Sequence, residues 1–352
     1  MTVATALVSG NDPLPQLAEQ ATAQALAKAG LTHANGVLLF LTPEFERHAQ
    51  PAVTACARAA NCTQVAGGIA AGVLTEAGWS VDRPAAAVMV FGAGLSLGPP
   101  AAGPWLSYVG GDFPVEWSAP PTRFGGSFAG SVGRAQAWQQ SRLTAEQRCS
   151  VQLLGASVDL GVSSGLRLLG EAQAVERSNG YDVERLGGQS AANSLKRVLP
   201  PQLREDTALH QLCAVLIDGD AEPALAEGRY RALAIIAVNA DRSLTLTGQL
   251  TAGQHLAWAI RQAPSAEAEM RQMLGRLAAR APAPAGALMF SCIGRGPYFY
   301  GGEDRDLIAL RQRFPALPVL GTYGTGQIAP ATAQHANRAL HNAVVTALIS
   351  RR

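Results

Sequence analysis

Lysine is nearly missing from this chain. Of 28 basic residues in 352, only Lys28 and Lys196 are lysines, and the arginines are scattered. Neutralising phosphates takes a basic stripe, so neither nucleic acid nor an anionic membrane is an expected partner. Charge of either sign is sparse, at 15% of residues with a net +2, against 48% hydrophobic side chains. That balance excludes a disordered chain, since a polypeptide of this length buries roughly three quarters of its unfolded surface on compaction. Single cores rarely grow so large, and two compact units are expected.

Cysteine is scarce too. Cys56, Cys62, Cys149, Cys213 and Cys292 are odd in number and include no C-x-x-C pair. This argues against a disulfide framework or a structural zinc and fits a reducing, cytoplasmic compartment. His33, His48, His210, His255, His335 and His341 show no i, i+4 pair, so no metal is expected. No G-x-x-x-x-G-K-[ST] loop occurs, and no cofactor is expected. Residues 1–15 lack a basic start followed by an apolar run, so export is not expected. Residues 84–111 carry no charge, but Pro99, Pro100, Pro104 and several glycines interrupt them, which excludes a membrane helix.

Two segments share one pattern. Leu14, Leu17, Ala18, Ala21, Ala25 and Leu26 recur at helical spacing before Gly30, and 36–41 reads GVLLFL, a buried strand. A second helix runs from Pro43 to about Ala60. A strand at 63–66 follows, ending in a glycine turn over 67–72 that contains Gly67 and Gly68, and then an apolar strand at 85–91. The C-terminal part repeats the order: helix 265–280, strand 287–292, helix 304–314, strand 318–320, glycine turn 321–326 and apolar run 344–349. The expected fold class is α/β, two packed halves of mixed β-sheets flanked by helices, with internal duplication of a helix-strand-helix-strand unit. Alternation of helix and strand is common, however, and also arises without duplication.

Between these blocks the chain reads as β. Ser178-Asn179-Gly180 lies between 166–177 and 181–186, a hairpin signal, and 213–217 with 231–238 and 243–250 add strands. Residues 92–133, rich in proline and glycine, read as an irregular crossover whose aromatics need cover. Gly161-Val162-Ser163-Ser164-Gly165 matches the G-x-S-x-G elbow of hydrolases, but a hairpin rather than a helix follows, so a β-turn is expected. Gly92-Ala93-Gly94 with Gly98 follows a strand as a dinucleotide loop would, and Pro99 and Pro100 prevent the required helix. Glu267 with Glu269, and Glu303 with Asp304, read as solvated or capping charges.

The informative residues follow two C-terminal strands, where open α/β sheets bind ligands. Phe290-Ser291-Cys292-Ile293-Gly294-Arg295-Gly296 places a thiol and a guanidinium at such an end. Arg295 between glycines can fork onto a carboxylate, or simply close a turn. Gly321, Thr322, Tyr323, Gly324, Gly326 and Gln327 supply main-chain N–H groups and hydroxyls of the kind that form anion nests, or serve as plain turn residues.

These segments, with Pro318 to Pro330 and then Leu340-His341-Asn342, resemble the C-terminal signature of the FIST sensory-domain family. The N-terminal half resembles the family more weakly, through 36–41, the 67–72 turn and 85–91. The resemblance implies an N-like domain over 1–205 and a C-like domain over 206–352. It also implies a cytoplasmic sensory module for a small ligand such as an amino acid, acting through a downstream signalling protein, with no catalytic mechanism attached. Where the family usually has Gly-Glu, this chain has Gly326-Gln327, which removes a charge and favours a simple anion.

The expected function is thus sensing of an amino acid or small carboxylate. Arg295 would hold the anion, and Cys292, Tyr323, Gln327, His341 and Asn342 would line the pocket. One alternative makes Cys292 the nucleophile of a hydrolase or acyltransferase with His341 as base, against a buried, inert thiol. Another is a protein-interaction scaffold using the aromatics of 92–133.

Overall fold

The computed structural model describes residues 3–101, 103–130, 135–204, 209–217, 220, 223–224, 230–330 and 337–352. They form two compact units, Met1–Val162 with Met270–Arg352, and Ser163–Glu269.

In the first unit, two six-stranded sheets repeat one plan. One runs Val3–Ser9, Ala85–Phe91, Gly36–Leu41, Val65–Ile69, Ala137–Gln139, Arg142–Leu143, and the other Ala156–Ser163, Val344–Arg351, Gly286–Cys292, Val319–Gly324, Gly72–Thr75, Gly78–Val81. In each, the central two strands are parallel, and the strands on either side of that pair run antiparallel to it. The helices match as well: Pro15–Ala29 and Ala49–Ala60 correspond in order to Ala263–Arg280 and Arg305–Arg313. The duplicated α/β architecture is therefore present. The second unit enters the chain between the first strand and first helix of the second copy.

Local chemistry accounts for the elements. Pro15–Ala29 begins on its proline and ends at Gly30, whose φ of 68° closes the helix, and it buries Ala18, Ala21, Ala25 and Leu26. The GVLLFL strand is buried along its whole length, as a strand covered on both faces must be.

The two expected glycine turns are not turns. Gly67 and Gly68 lie inside Val65–Ile69, while Gly321, Thr322, Tyr323 and Gly324 lie inside Val319–Gly324. Gly326 and Gln327 start the strand Gly326–Pro330. Close backbone approach explains the glycines, because a Cβ on Gly67 would lie 1.8 Å from the Leu39 carbonyl oxygen and one on Gly321 2.1 Å from that of Met289.

The expected irregular crossover also differs. It contributes Ser96–Gly98, Trp105–Val109 and Arg123–Ser127 to a third sheet, ordered Asn337–Leu340, Gly326–Pro330, Arg123–Ser127, Trp105–Val109, Arg148–Leu154, Ser96–Gly98. Residues 131–134 of that crossover lie outside the described residues. Phe40 of the first sheet meets Tyr108 of the third at 5.1 Å and Phe290 of the second at 6.1 Å between ring centroids, so one aromatic cluster joins all three sheets.

The second unit is an antiparallel ring. His255–Arg261, Gln173–Asn179, Asp182–Leu186, Leu244–Leu246, Tyr230–Val238 and Leu212–Ile217 pair in that order, and the last pairs back with the first. Closure removes the exposed edge. Val183, Leu244, Leu246, Leu256 and Ile260 are in its core. The Asn-Gly hairpin is present, with Asn179 opposite Asp182 and Gly180 at φ 58°.

Candidate functional site at the ends of the central strands

Past Cys292 the chain makes two short 3-10 turns, Ile293–Arg295 and Pro297–Tyr300, before Asp304 caps the helix Arg305–Arg313. These turns aim Arg295 inward. Its side chain is fully buried, with Nε donating to Asp306 Oδ2 at 2.9 Å and Nη2 to Asp306 Oδ1 at 3.0 Å. The fork expected to hold a ligand anion therefore holds an internal carboxylate, because two buried charges compensate each other best in this bidentate geometry.

Tyr323 belongs to the same interior. Its hydroxyl donates to Asp304, which also accepts from the Leu307 N–H at 2.8 Å. Burial, reinforced by the neighbouring Asp306 charge, raises the Asp304 carboxyl to about 6. Burial first, then the charge of Asp304, pushes the Tyr323 phenol well above its ordinary range. Asp304 is a capping charge as its position suggested, but a buried one rather than a solvated one.

Cys292 and His341 stand near the strand ends, and among the described residues no hydrogen bond joins the thiol to the imidazole. Cys292 is half-buried and its N–H donates to the Ala343 carbonyl at 3.0 Å. His341 is exposed, and its Nδ1 lies 2.9 Å from the Thr325 carbonyl oxygen. A carbonyl only accepts, so the ring proton sits on Nδ1. Asn342 is buried with φ 57°, a left-handed turn conformation.

Gly68 and Thr322 do come together, around Tyr108. A Cβ on Gly68 would sit 2.5 Å from the Tyr108 ring. One on Gly126 would sit 3.2 Å from the same ring, 3.1 Å from Phe290 and 3.6 Å from the Thr322 hydroxyl. Gln327 pairs directly with Gly126 and with Leu340, and so shares their face of the third sheet. It is fully buried, and neither its Oε1 nor its Nε2 has a hydrogen-bond partner among the described residues. Leaving a buried polar group unpaired costs about 1–3 kcal/mol, so natural cores rarely keep one without a use.

Several polar groups gave no sequence signal. Asn337 accepts from the Arg123 N–H at 2.8 Å and donates through Nδ2 to the carbonyls of Trp117, Ala119 and Pro121. Glu269, which reads as a solvated charge, instead accepts from the hydroxyls of Ser163 and Ser164 and the N–H groups of Ser164 and Gly165 at 2.6–3.2 Å. It pins the end of the G-x-S-x-G segment, and the strand Leu166–Leu168 rather than a helix follows, so no nucleophile elbow forms.

Residues 191–330 match the model of the FIST C domain. That stretch, though not the chain as a whole, is thereby similar to the FIST C domain. The match takes in Cys292, Arg295 and Gln327, and the FIST C domain is one of a family of signal-transduction sensory domains. The likeness of residues 1–205 to the family's N domain rests on its motifs alone. Among similar proteins, an uncharacterized protein of Mycobacterium bovis is 26% identical over 179 residues, 50% of this chain and 46% of its own length. One of Mycobacterium tuberculosis is 27% identical over 194 residues, 53% of this chain and 50% of its own. The match thus spans about half the length of these curated relatives. Among the described residues no helix is long and apolar enough to cross a membrane.

Proposed function

We propose that this protein senses a small polar ligand in the cytoplasm, and that Gln327 makes the recognising contact. One observation carries the reading: a fully buried side-chain amide with both ends unpaired among the described residues, beside Tyr108, whose own hydroxyl is bonded to the Ile69 carbonyl. An amide offers one acceptor oxygen and two N–H donors. Its complement carries a donor and an acceptor side by side, as the ammonium and carboxylate of an amino acid do, or the hydroxyl and carboxylate of a hydroxy acid. Phe290, Tyr108 and Thr322 border the same seam. Binding would complete the hydrogen bonding of the core, and the consequent gain in order is the signal passed to a downstream protein.

A thermal-shift screen with the standard amino acids and with small carboxylic and hydroxy acids tests this. A ligand at about a hundred times its Kd adds about 2.7 kcal/mol to stability. The expected result is a saturable rise in Tm for one chemical class, lost in Gln327→Leu. An undiminished rise in Gln327→Leu would place recognition elsewhere.

A further inference from the structure

Arg123 begins the strand Arg123–Ser127, side by side with Trp105 in the third sheet. Its guanidinium carbon lies 4.6 Å from the Trp105 ring centroid and 4.7 Å from that of Trp117. The residue is only 8% exposed. Nη1 donates to Ser107 Oγ at 2.9 Å and to Ser150 Oγ at 3.0 Å, and these hydroxyls lie 3.2 Å apart.

This cation has no carboxylate partner among the described residues. Among the described residues no acidic oxygen lies within ion-pair distance of Arg123, and nearby Glu116 is paired with Arg148. Arg295 provides the comparison inside the same molecule: its Nε and Nη2 edge carries both oxygens of Asp306. On Arg123 that edge makes no hydrogen bond with a described residue, and its Nε is buried. The serines add to the imbalance. Both accept from Nη1, and one can donate to the other, which leaves one hydroxyl proton without an acceptor. Every unmatched group in the cluster is therefore a donor, around a positive charge held between two indole faces.

We infer that Arg123, with Ser107 and Ser150, forms a binding site for a small oxyanion, a carboxylate or a phosphate. The ligand oxygens take the Nε and Nη2 edge and the spare serine proton, while the tryptophan rings fix the plane of the fork. The site is on the opposite face of the third sheet from Gln327: Ser107 alternates with Tyr108, which faces the seam, so a carboxylate or phosphate at Arg123 is independent of the ligand at Gln327.

Because Trp105 and Trp117 stack on the guanidinium, their fluorescence reports the occupant. The full chain is titrated with sodium phosphate and, separately, with sodium acetate, each against sodium chloride of equal ionic strength. The expected result is a saturable fluorescence change with one or both anions beyond that of chloride. Phosphate alone identifies a phosphate site, and acetate alone a carboxylate site. Affinity falls at least tenfold in Arg123→Lys, which keeps the charge without the fork, and several-fold in Ser150→Ala, which is retained as a readout if Arg123→Lys fails to fold. Gln327→Leu leaves the response unchanged. No response beyond chloride for either anion, or equal affinity in Arg123→Lys and Ser150→Ala, would overturn the assignment.

Discussion

Arg295 shows how a residue's neighbourhood can be legible while its partner is not. Its place beyond a buried strand follows from the apolar run and flanking glycines, but Asp306, eleven residues on, is brought to it only by the turn and helix that intervene. Arg295→Ala should lower the unfolding free energy by about 3–5 kcal/mol by stranding the Asp306 charge, and Arg295→Met with Asp306→Leu should recover most of that. Urea unfolding checks both, and a cost below about 1 kcal/mol for the single change would contradict the pairing. Asp304 makes a pH prediction. Its folded value of about 6 lies above the ordinary 3.8, so the native state holds this proton more tightly. The associated stability is fully present below about pH 4 and is lost as pH rises through 6, by at most about 3 kcal/mol. Asp304→Asn keeps the helix cap without the charge. Its Tm relative to wild type should therefore rise between pH 5 and pH 8, and a pH-independent difference would refute the burial argument.

Elements built on strong periodicity were readable: the helix closed by Gly30, the GVLLFL strand, the Asn-Gly hairpin and the helix capped by Asp304. The glycine-rich segments were not, because glycine marks either a turn or a strand that another backbone approaches closely, and local sequence cannot separate the two. Proline and glycine hid the third sheet in the same way. Gly321→Ala should therefore prevent folding or cost more than about 3 kcal/mol, since its Cβ would meet the Met289 carbonyl oxygen at 2.1 Å. Gly275, in the helix Ala263–Arg280, has nothing within 4 Å of its Cβ position, and Gly275→Ala should stabilise by about 0.5–1 kcal/mol. Denaturant titration of both variants tests whether close approach or turn geometry selects these glycines. Equal effects would favour the turn.

At the scale of the whole molecule, the repeated order of elements was visible early because buried strands and amphipathic helices announce themselves. The exchange of Gly72–Thr75 into the second sheet was not visible, since strand pairing across the duplication depends on long-range geometry. The two compact units have separate cores. Leu74→Ala in the first and Leu244→Ala in the second each empty a fully buried site at a cost of about 2–5 kcal/mol. Calorimetry should resolve two transitions, each variant lowering a different one, and a single transition shifted alike by both would show that the units unfold together. Over the molecule as a whole, the most direct measurement is the unfolding free energy of Gln327→Leu, with and without a ligand that stabilises wild type. If the amide is held in reserve for a ligand, the leucine variant is about 1–3 kcal/mol more stable than wild type without ligand and gains nothing when ligand is added. A variant less stable than wild type, or one that keeps the ligand's full gain, would contradict that role for Gln327.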